Sequence, residues 1–258
     1  GDITGAIVAR CLDADLYENW TDVSGFLSAD PRIVQNPRAI GRITFDEMRE
    51  LSYMGASVLQ EEAIFPVREA NIPIQIKNTN RPEDTGTVIR ETADGDTNEH
   101  LITGIAGKKD FLAIHVKKAH MSNEVGVISR ALNIVERYGV SVEHIPTGVD
   151  SFGIVVNASD VKDTVYSIIS DIRREIEPDD ITMVDRLALV SVVGRNMSRR
   201  SGTSGKIFGA LGNAGVNIRM ITQSSEEISI IVGVDNADFD RTIGVIYNGF
   251  VRDEMVSR

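Results

Sequence analysis

The feature that most constrains the fold is an internal repeat in the second half of the chain. The same order of predicted elements begins at residue 111 and again at residue 187. Each time, a strand is followed by a helix that ends at a glycine, and then by further strands and a second helix. The helix-to-strand joints correspond, because RYGVSVEHI (137–145) and NAGVNIRMI (213–221) have the same spacing from the glycine to the final isoleucine. Glycine after a helix is a common stop signal. This repetition predicts two copies of a small βαββαβ unit.

The second copy runs out of sequence before its fourth strand. Its last helix ends near Tyr247, and a short charged segment follows. A strand-like segment, LITGIA (101–106), lies ahead of the first copy. We expect this segment to pair into the sheet of the second copy, because such pairing protects an otherwise open strand edge. The first copy would then be inserted within the second.

The chain is expected to divide into four parts. Residues 90–99 are acidic, contain a glycine and have no apolar period, which is typical of a linker. The predicted parts are an α/β domain (1–95), a linker with the strand that completes the second copy (96–110), the first copy (111–186) and the second copy (187–258).

A polar loop in the α/β domain is the first candidate for a binding site. The stretch WTDVSGFLSADPR (20–32) follows a predicted strand at 16–20. Gly25 can adopt a left-handed backbone angle, and Pro31 restrains the chain before Arg32. Arginine presents a planar fork of donors that suits phosphate oxygens, and ligands of open α/β sheets lie beyond the carboxyl ends of strands. The alternative is an ordinary surface turn with solvated charges.

Helices and strands around this loop are predicted from capping and apolar period. We expect helices at 2–14, 44–53 and 55–70, and the second of these begins with a capping box formed by Thr44 and Glu47. The run IPIQIK (72–77) predicts a strand. Lys77 and Asn78 then fall at its carboxyl end, where a nucleotide contact and a solvated strand end remain open alternatives.

Composition excludes several classes of function. The formal net charge is -11 and no basic stripe is present, so neither nucleic acid nor an anionic membrane is an expected partner. The single cysteine, Cys11, excludes an internal disulfide and fits a reducing cytoplasm. No apolar run has the length of a membrane span. None of the four histidines has metal-ligand spacing, so no protein-held metal is expected.

The sequence resembles the aspartokinases, a branch of the amino-acid kinases. The resemblance is carried in order by TDVSGFLSADPRIV (21–34), ITFDEMRELSYMGASVLQ (43–60), ANIPIQIKNTNRPEDTGTVI (70–89) and the two later repeats. It implies the C-terminal part of an αβα amino-acid kinase sandwich followed by two interleaved, ferredoxin-like ACT domains, which sense amino acids. The family's N-terminal phosphate-binding motif finds no match, so we expect a longer protein and no turnover by these 258 residues alone.

The resemblance also implies an activity and site residues. Aspartokinases transfer the γ-phosphoryl group of ATP to the side-chain carboxylate of L-aspartate, with Mg²⁺ bound mainly by the phosphates. Three positions depart from the family pattern, because Gly1 replaces a serine, Ser57 replaces a lysine and Gln60 replaces a histidine. The resemblance implies a catalytic Asp2 and nucleotide contacts at Thr21, Asp22, Gly25, Phe26, Leu27, Asp30, Arg32 and Ser57.

A regulatory amino acid would need a carboxylate acceptor for its ammonium and N–H donors for its carboxylate. The turn before the helix of the first repeat offers N–H groups, and Glu143 offers the carboxylate. Alternatively, Glu124 caps that helix and Glu143 is a surface charge. The implied effector contacts are Asn123, Glu124, Val125, Gly126, Val142, Glu143 and Thr147 in the first repeat, and Asn217, Ile218, Thr222 and Gln223 in the second. The second repeat has Arg219 where an acid equivalent to Glu143 would be needed. The alternative for this repeat is therefore that it binds no effector and forms a dimer interface.

The motif SVEHIPTG (141–148) resembles lysine-sensitive, monofunctional aspartokinases, although threonine, or both amino acids together, stays open as effector. ACT sheets commonly pair side by side, so at least a homodimer is implied, in the cytoplasm. The rival interpretation is a non-catalytic amino-acid-binding module. A fusion to homoserine dehydrogenase is not expected, because no dinucleotide fingerprint follows Phe250.

Overall fold

The computed structural model describes residues 1–56, 58–59, 64–92, 100–197, 200–223 and 227–252. Within these ranges the fold is mixed α/β with two sheets, which confirms the predicted class. The α-helices are α1 (Asp2–Cys11), α2 (Phe45–Tyr53), α3 (Ile64–Glu69), α4 (Val127–Arg137), α5 (Val165–Ile176), α6 (Thr203–Asn213) and α7 (Phe239–Ile246). The strands are β1 (Tyr17–Thr21), β2 (Arg42–Thr44), β3 (Ile74–Asn78), β4 (Thr87–Arg90), β5 (Gly104–Lys117), β6 (Ser151–Asn157), β7 (Asp180–Val193), β8 (Met220–Gln223) and β9 (Ser229–Asp235).

The first sheet has the strand order β1-β3-β4-β2. β1 and β3 run parallel, with Tyr17 opposite Ile74 and Thr21 opposite Asn78. β3 alternates between buried and half-buried residues, as expected of a pleated strand. Because β1 and β3 are parallel, their carboxyl ends meet at one edge of the sheet. The loop that follows Thr21 therefore starts beside the loop that follows Asn78.

Helix α2 begins with the predicted capping box. The Thr44 hydroxyl accepts a hydrogen bond from the Glu47 N–H at 3.2 Å, and the Thr44 N–H donates to the Glu47 carboxylate at 3.0 Å. This reciprocal pair satisfies two donors that the first turn of a helix leaves without intrahelical partners. It also fixes the Glu47 side chain, which is completely buried.

The second sheet has the strand order β6-β5-β7-β9-β8. β5 and β6 are antiparallel, from Phe111 opposite Asn157 to Lys117 opposite Ser151. Helices α4 and α5 contribute to the hydrophobic core of this region. Its central side chains, Ile114, Ile134, Ile154 and Ile168, are at most 1% exposed, and burying each contributes about 1.5–3 kcal/mol.

The chain forms two compact units. Unit 1 comprises Gly1–Gly107, Val190–Val232 and Ala237–Arg258, and unit 2 comprises Lys108–Leu189 and Gly233–Asn236. Unit 1 thus contains the first sheet together with most of the second repeat, whereas unit 2 contains most of the first repeat. LITGIA belongs to unit 1, where the Thr103 N–H donates to the Val193 carbonyl at 2.8 Å. The domain boundaries given above stay a prediction.

The helix-to-strand joint of the first repeat predicts a strand at 141–145, and the structure differs from that prediction. Isolated bridges link His144 to Val155 and Thr147 to Phe152, without a regular strand. Pro146 lies between these bridges and has no N–H to donate, so its carbonyl alone joins the ladder by accepting from Gly153 at 2.8 Å.

Two other element predictions are corrected. The repeat pattern predicts separate strands at 181–184 and 187–193, the last of the first repeat and the first of the second, whereas the structure has one continuous strand, β7, in which Arg186 takes a left-handed φ of 52° without ending the strand. The predicted helix at 55–70 is represented among the described residues by α3, which begins at Ile64. None of the helices in the described ranges combines the length and apolar character needed to cross a bilayer.

Candidate functional site

The candidate site lies at the edge of the first sheet where β1 and β3 end. The Thr21 carbonyl accepts hydrogen bonds from both the N–H and the hydroxyl of Thr79, at 2.8 and 2.9 Å. The Thr21 hydroxyl donates to the carboxylate of Asp22, which is exposed. These contacts fix the first residues of both loops, so that Asp22 projects from an ordered strand end.

Gly25 places the next part of the loop against β4. Its φ is +99°, which confirms the left-handed angle expected of this glycine, and an added Cβ would lie 2.8 Å from the Thr87 nitrogen and overlap the Thr87 hydroxyl. That hydroxyl accepts from the Phe26 N–H at 2.8 Å and donates to the Ile40 carbonyl at 2.6 Å. The Phe26 side chain is consequently buried in the core, whereas Leu27 is 37% exposed.

Asp30 and Arg32 form a two-pronged pair on either side of Pro31. The guanidinium contacts the carboxylate at 3.0 Å through Nε and at 2.6 Å through Nη2, and the Arg32 N–H donates to Oδ1 at 2.8 Å. The hydrogen bonds from the Arg32 side chain hold the pKa of Asp30 below its usual range. The Arg32 side chain is 88% exposed, so the pair orients a cation at the surface of the loop.

A buried amide connects the loops that follow β1 and β3. Asn78 is 6% exposed, and its Nδ2 donates to the Ser24 hydroxyl at 2.9 Å. Its Oδ1 accepts from the Asn80 N–H, and the Ser24 hydroxyl donates to Asp84 at 2.5 Å. Sequence reasoning missed Ser24 and Asp84, because their partner residues are remote in the chain.

Lys77 braces the second of these loops. Its ammonium donates to the carbonyls of Pro82 and Asp84, at 3.0 and 2.6 Å, and lies 5.6 Å from the centre of the Trp20 ring. The sequence left a nucleotide contact and a solvated strand end as alternatives for Lys77. The structure adds a third role, because Lys77 holds the backbone of the 79–86 loop. A direct nucleotide contact by Lys77 stays a prediction.

Asp2 occupies the first turn of α1, against a different part of β1. The Tyr17 hydroxyl donates to the Asp2 carbonyl at 3.1 Å and accepts from the Asn19 amide at 3.0 Å. Burial raises the pKa of Tyr17, and the charge of Asp2 acts in the same direction. Gly5 makes this approach feasible, since a Cβ there would lie 2.8 Å from the Tyr17 oxygen. Ser57, the other predicted contact outside the loop, lies outside the described residues.

The predicted effector residues of the first repeat fall into two groups. Asn123, Glu124, Val125 and Gly126 precede α4, where Gly126 is the N-cap residue with a φ of +83°. Glu124 makes no side-chain cap; it pairs with Lys118 at 3.2 Å and with Arg130. The hydrogen bond from Lys118, joined by that from Arg130, lowers the pKa of the Glu124 carboxyl.

Val142 and Glu143 line a separate groove beside the second half of α4. This groove has a volume of about 700 Å³ and includes Leu132, Asn133 and Glu136. The Glu143 N–H donates to the Val155 carbonyl at 2.8 Å, which fixes the backbone there. The neighbouring His144 has a lowered pKa because of burial, which the charge of Glu143 opposes. Within one chain, therefore, the two groups lie at opposite ends of α4.

The second repeat places its candidates around α6 and β8. Gln223 lines a groove of about 500 Å³ together with residues 200–205, which lead into α6. Thr222 lies in β8, while Asn217 and Ile218 lie between α6 and β8. Among the described residues, no group of three or more His, Cys, Asp or Glu side chains is placed to hold a metal ion.

Comparisons with known proteins agree with this architecture. Residues 1–78 match the amino acid kinase family, and residues 190–250 match the ACT domain. Aspartokinase 3 of Bacillus subtilis is 40% identical over 257 residues, which are 99% of this chain but 56% of that relative. The aspartate kinase of Clostridium acetobutylicum is 51% identical, with a TM-score of 0.93 over 96% of this chain and 57% of that one. The chain thus spans a little over half the length of these relatives.

Two further sets of crystal structures are similar. Escherichia coli aspartokinase III is 25% identical with a TM-score of 0.79 over 96% of this chain and 55% of that one, and has been solved with aspartate and ADP and with lysine and aspartate. A chain of the aspartokinase alpha and beta subunits is 30% identical with a TM-score of 0.52, and this chain covers 97% of it. Both matched domains and these relatives show that the chain belongs to the aspartokinase family.

Proposed function

We propose that this chain forms the nucleotide-holding and amino-acid-sensing parts of an ATP-dependent aspartate kinase. The whole protein transfers the γ-phosphoryl group of ATP to the side-chain carboxylate of L-aspartate, the first step of lysine, threonine and methionine biosynthesis, in the cytoplasm. The observation that carries the proposal is the ordered loop Thr21–Arg32 at the shared carboxyl edge of parallel strands β1 and β3. Ligands of open α/β sheets bind at such an edge.

The chemistry of this loop fits a nucleotide. Val23 and Leu27 expose apolar side chains, 41% and 37%, that can pack against a base, while Thr21 and Asp22 offer hydrogen-bonding oxygens beside them. Asp30 holds Arg32 in one orientation, and the guanidinium fork then presents its remaining N–H donors to phosphate oxygens. Mg²⁺ would be bound chiefly by the phosphates and by water.

Phosphoryl transfer of this kind depends on positioning and charge neutralisation rather than on a protein nucleophile. In this chain the Thr21–Arg32 loop would hold the nucleotide, and Asp2, in the first turn of α1, would supply a catalytic carboxylate. The relative solved with aspartate and ADP supports this substrate and nucleotide.

We propose that a free amino acid, L-lysine in preference to L-threonine, regulates the enzyme through unit 2. The relative solved with lysine supports that choice. Glu143 would accept the ammonium, and the N–H groups before α4 would receive the carboxylate. Because the two groups of effector residues lie at opposite ends of α4, a second copy of the chain would complete the site, which favours a homodimer.

The test uses the full-length protein that contains this chain. With ATP, Mg²⁺ and L-aspartate, we expect aspartyl phosphate, trapped as its hydroxamate, and less of it when L-lysine is added. Threonine and methionine serve as comparison effectors. The 258-residue chain alone is the matched control, and we expect no turnover from it.

Each outcome separates the proposal from its rival. A full-length protein that binds lysine but neither binds ATP nor forms aspartyl phosphate would replace the proposal with a non-catalytic amino-acid-binding module. Turnover by the 258-residue chain alone would show that the remainder of the protein is dispensable for catalysis.

A further inference from the structure

Strands β5 and β7 connect unit 1 covalently to the longer segment of unit 2, Lys108–Leu189, while the short segment Gly233–Asn236 of unit 2 is connected separately through β9 and the residues after it. The boundary between the units falls after Gly107 within β5 and after Leu189 within β7. The strands are neighbours in the sheet, and in unit 1 the Thr103 N–H donates to the Val193 carbonyl at 2.8 Å. A displacement of these strands that begins in unit 2 therefore reaches unit 1 at two adjacent points.

One side chain in unit 1 contacts both of these points. Glu47 of α2 accepts from the Thr103 hydroxyl, just before β5, at 2.6 Å. It also accepts from the Arg195 N–H and guanidinium, just after β7, at 3.0 and 2.9 Å. The carboxylate has no exposed surface, so water cannot replace a lost partner and each contact carries more weight than it would at the surface.

A second set of hydrogen bonds connects the same segment to the candidate nucleotide loop. The Ile105 N–H donates to the Ser28 carbonyl at 2.9 Å, and Ser28 donates through its N–H and its hydroxyl to the Arg38 carbonyl, both at 2.9 Å. The Arg38 guanidinium returns to the Ile102 carbonyl at 2.9 Å. The Arg38 N–H is held by the Tyr247 hydroxyl at 3.0 Å.

We propose that Ser28, Arg38 and Glu47 form a clasp that couples the position of β5 and β7 to the Thr21–Arg32 loop, and thereby sets nucleotide affinity. The inference rests on the proposed function. We name these three residues the strand clasp. Hydrogen bonds weaken steeply beyond about 3.5 Å, so a strand shift of less than about 1 Å is enough to release one arm. Since the loop is on the nucleotide side, effector binding is expected to change the KM for ATP more than the KM for aspartate.

The test removes one hydroxyl from the strand clasp contacts in the full-length protein. Thr103→Val preserves side-chain shape but deletes the donor to Glu47. Thr242→Val is the matched control, because Thr242 is also buried in unit 1 and its hydroxyl donates locally, to the carbonyl of Asp238 at the start of its own helix, at 2.8 Å. Tyr247→Phe, which deletes the acceptor for the Arg38 N–H, tests the second arm.

Inhibition by L-lysine and the KM values for ATP and aspartate are measured for each variant. We expect Thr103→Val and Tyr247→Phe to raise the lysine concentration for half-inhibition by about fivefold or more, and to reduce the lysine-dependent change in the KM for ATP. Thr242→Val is expected to match the unsubstituted protein. Melting temperatures establish that the variants fold.

Equal inhibition of Thr103→Val, Tyr247→Phe and Thr242→Val would overturn the strand clasp and leave the proposed function intact. An equal loss of inhibition in all three would also overturn it, because the effect would then follow the loss of any buried hydroxyl. If the unsubstituted protein forms aspartyl phosphate but no amino acid inhibits it, the regulatory proposal and the strand clasp fall together.

Discussion

Gly25 offers the sharpest test of how the candidate loop is built. The change is Gly25→Ala, at a residue whose φ is +99° and whose added Cβ would lie 2.8 Å from the Thr87 nitrogen. A left-handed alanine costs about 1–2 kcal/mol. The methyl group also displaces Thr87, whose hydroxyl joins the Phe26 N–H to the Ile40 carbonyl, and each of these hydrogen bonds contributes about 1 kcal/mol. The expected loss in the free energy of unfolding is therefore about 3 kcal/mol.

The matched control is Gly41→Ala, where an added Cβ has no neighbour within 4 Å. Both substitutions restrict the unfolded chain equally, by about 0.4–1 kcal/mol, so that term cancels in the comparison. Urea unfolding followed by circular dichroism measures the difference, and about 3 kcal/mol corresponds to a melting temperature lower by about 6–12 °C. The KM for ATP in the full-length protein should rise with Gly25→Ala alone.

If the two variants unfold within about 0.5 kcal/mol of each other, which is the ordinary scatter of surface substitutions, then the left-handed angle of Gly25 and its approach to Thr87 do not stabilise the protein as inferred. If Gly25→Ala instead destabilises the protein as expected but leaves the KM for ATP at the value of Gly41→Ala, the loop would be structural and the nucleotide would lie elsewhere.

Three further predictions concern the buried carboxylate of Glu47 and the half-buried carboxylate of Asp30. Glu47→Gln should lower the free energy of unfolding by about 3 kcal/mol in urea titrations, because it removes the buried carboxylate charge that pairs with the partly buried Arg195 guanidinium. Burial alone would raise the pKa of Glu47, but hydrogen bonds from Thr103 and Thr44 and the charge of Arg195 lower it overall. The stabilisation is thus complete above the unfolded pKa of 4.5 and lost as the pH falls through the lower folded pKa, so the stability difference between the two proteins should begin to shrink below pH 4.5 and vanish only below the folded pKa. Asp30→Asn should change stability by less than about 1 kcal/mol, because Arg32 is exposed, yet raise the KM for ATP several-fold by freeing the guanidinium; an unchanged KM would show that Arg32 does not contact the phosphates.

Sequence patterns predicted the features that depend on neighbouring residues. The capping box of Thr44 and Glu47 is one, and the left-handed Gly25 is another. Each is determined within one turn of helix or one loop, where backbone sterics and local donors dominate. The family resemblance added the two domain types, which the comparisons confirm.

Features that depend on remote contacts were out of reach of the sequence. Glu47 carried a capping signal, but nothing in the sequence indicated that the same carboxylate meets a partner 148 residues away in Arg195. Ser24 was read as part of a turn, although its hydroxyl bridges to Asp84. The predicted strand at 141–145 failed because Pro146 breaks the ladder, an effect that depends on which side of the strand is paired.

The strand pair β5 and β7 has a consequence for engineering. The longer segment of unit 2, Lys108–Leu189, begins and ends in adjacent strands, so its two junctions, after Gly107 and after Leu189, lie on neighbouring strands of one sheet. Segments with closely spaced ends tolerate insertion into, and removal from, a host protein. A chimera that replaces the segment between these junctions with the matching piece of a relative should therefore exchange effector preference as a cassette, whereas a cut at the helix boundaries would leave half of each strand behind.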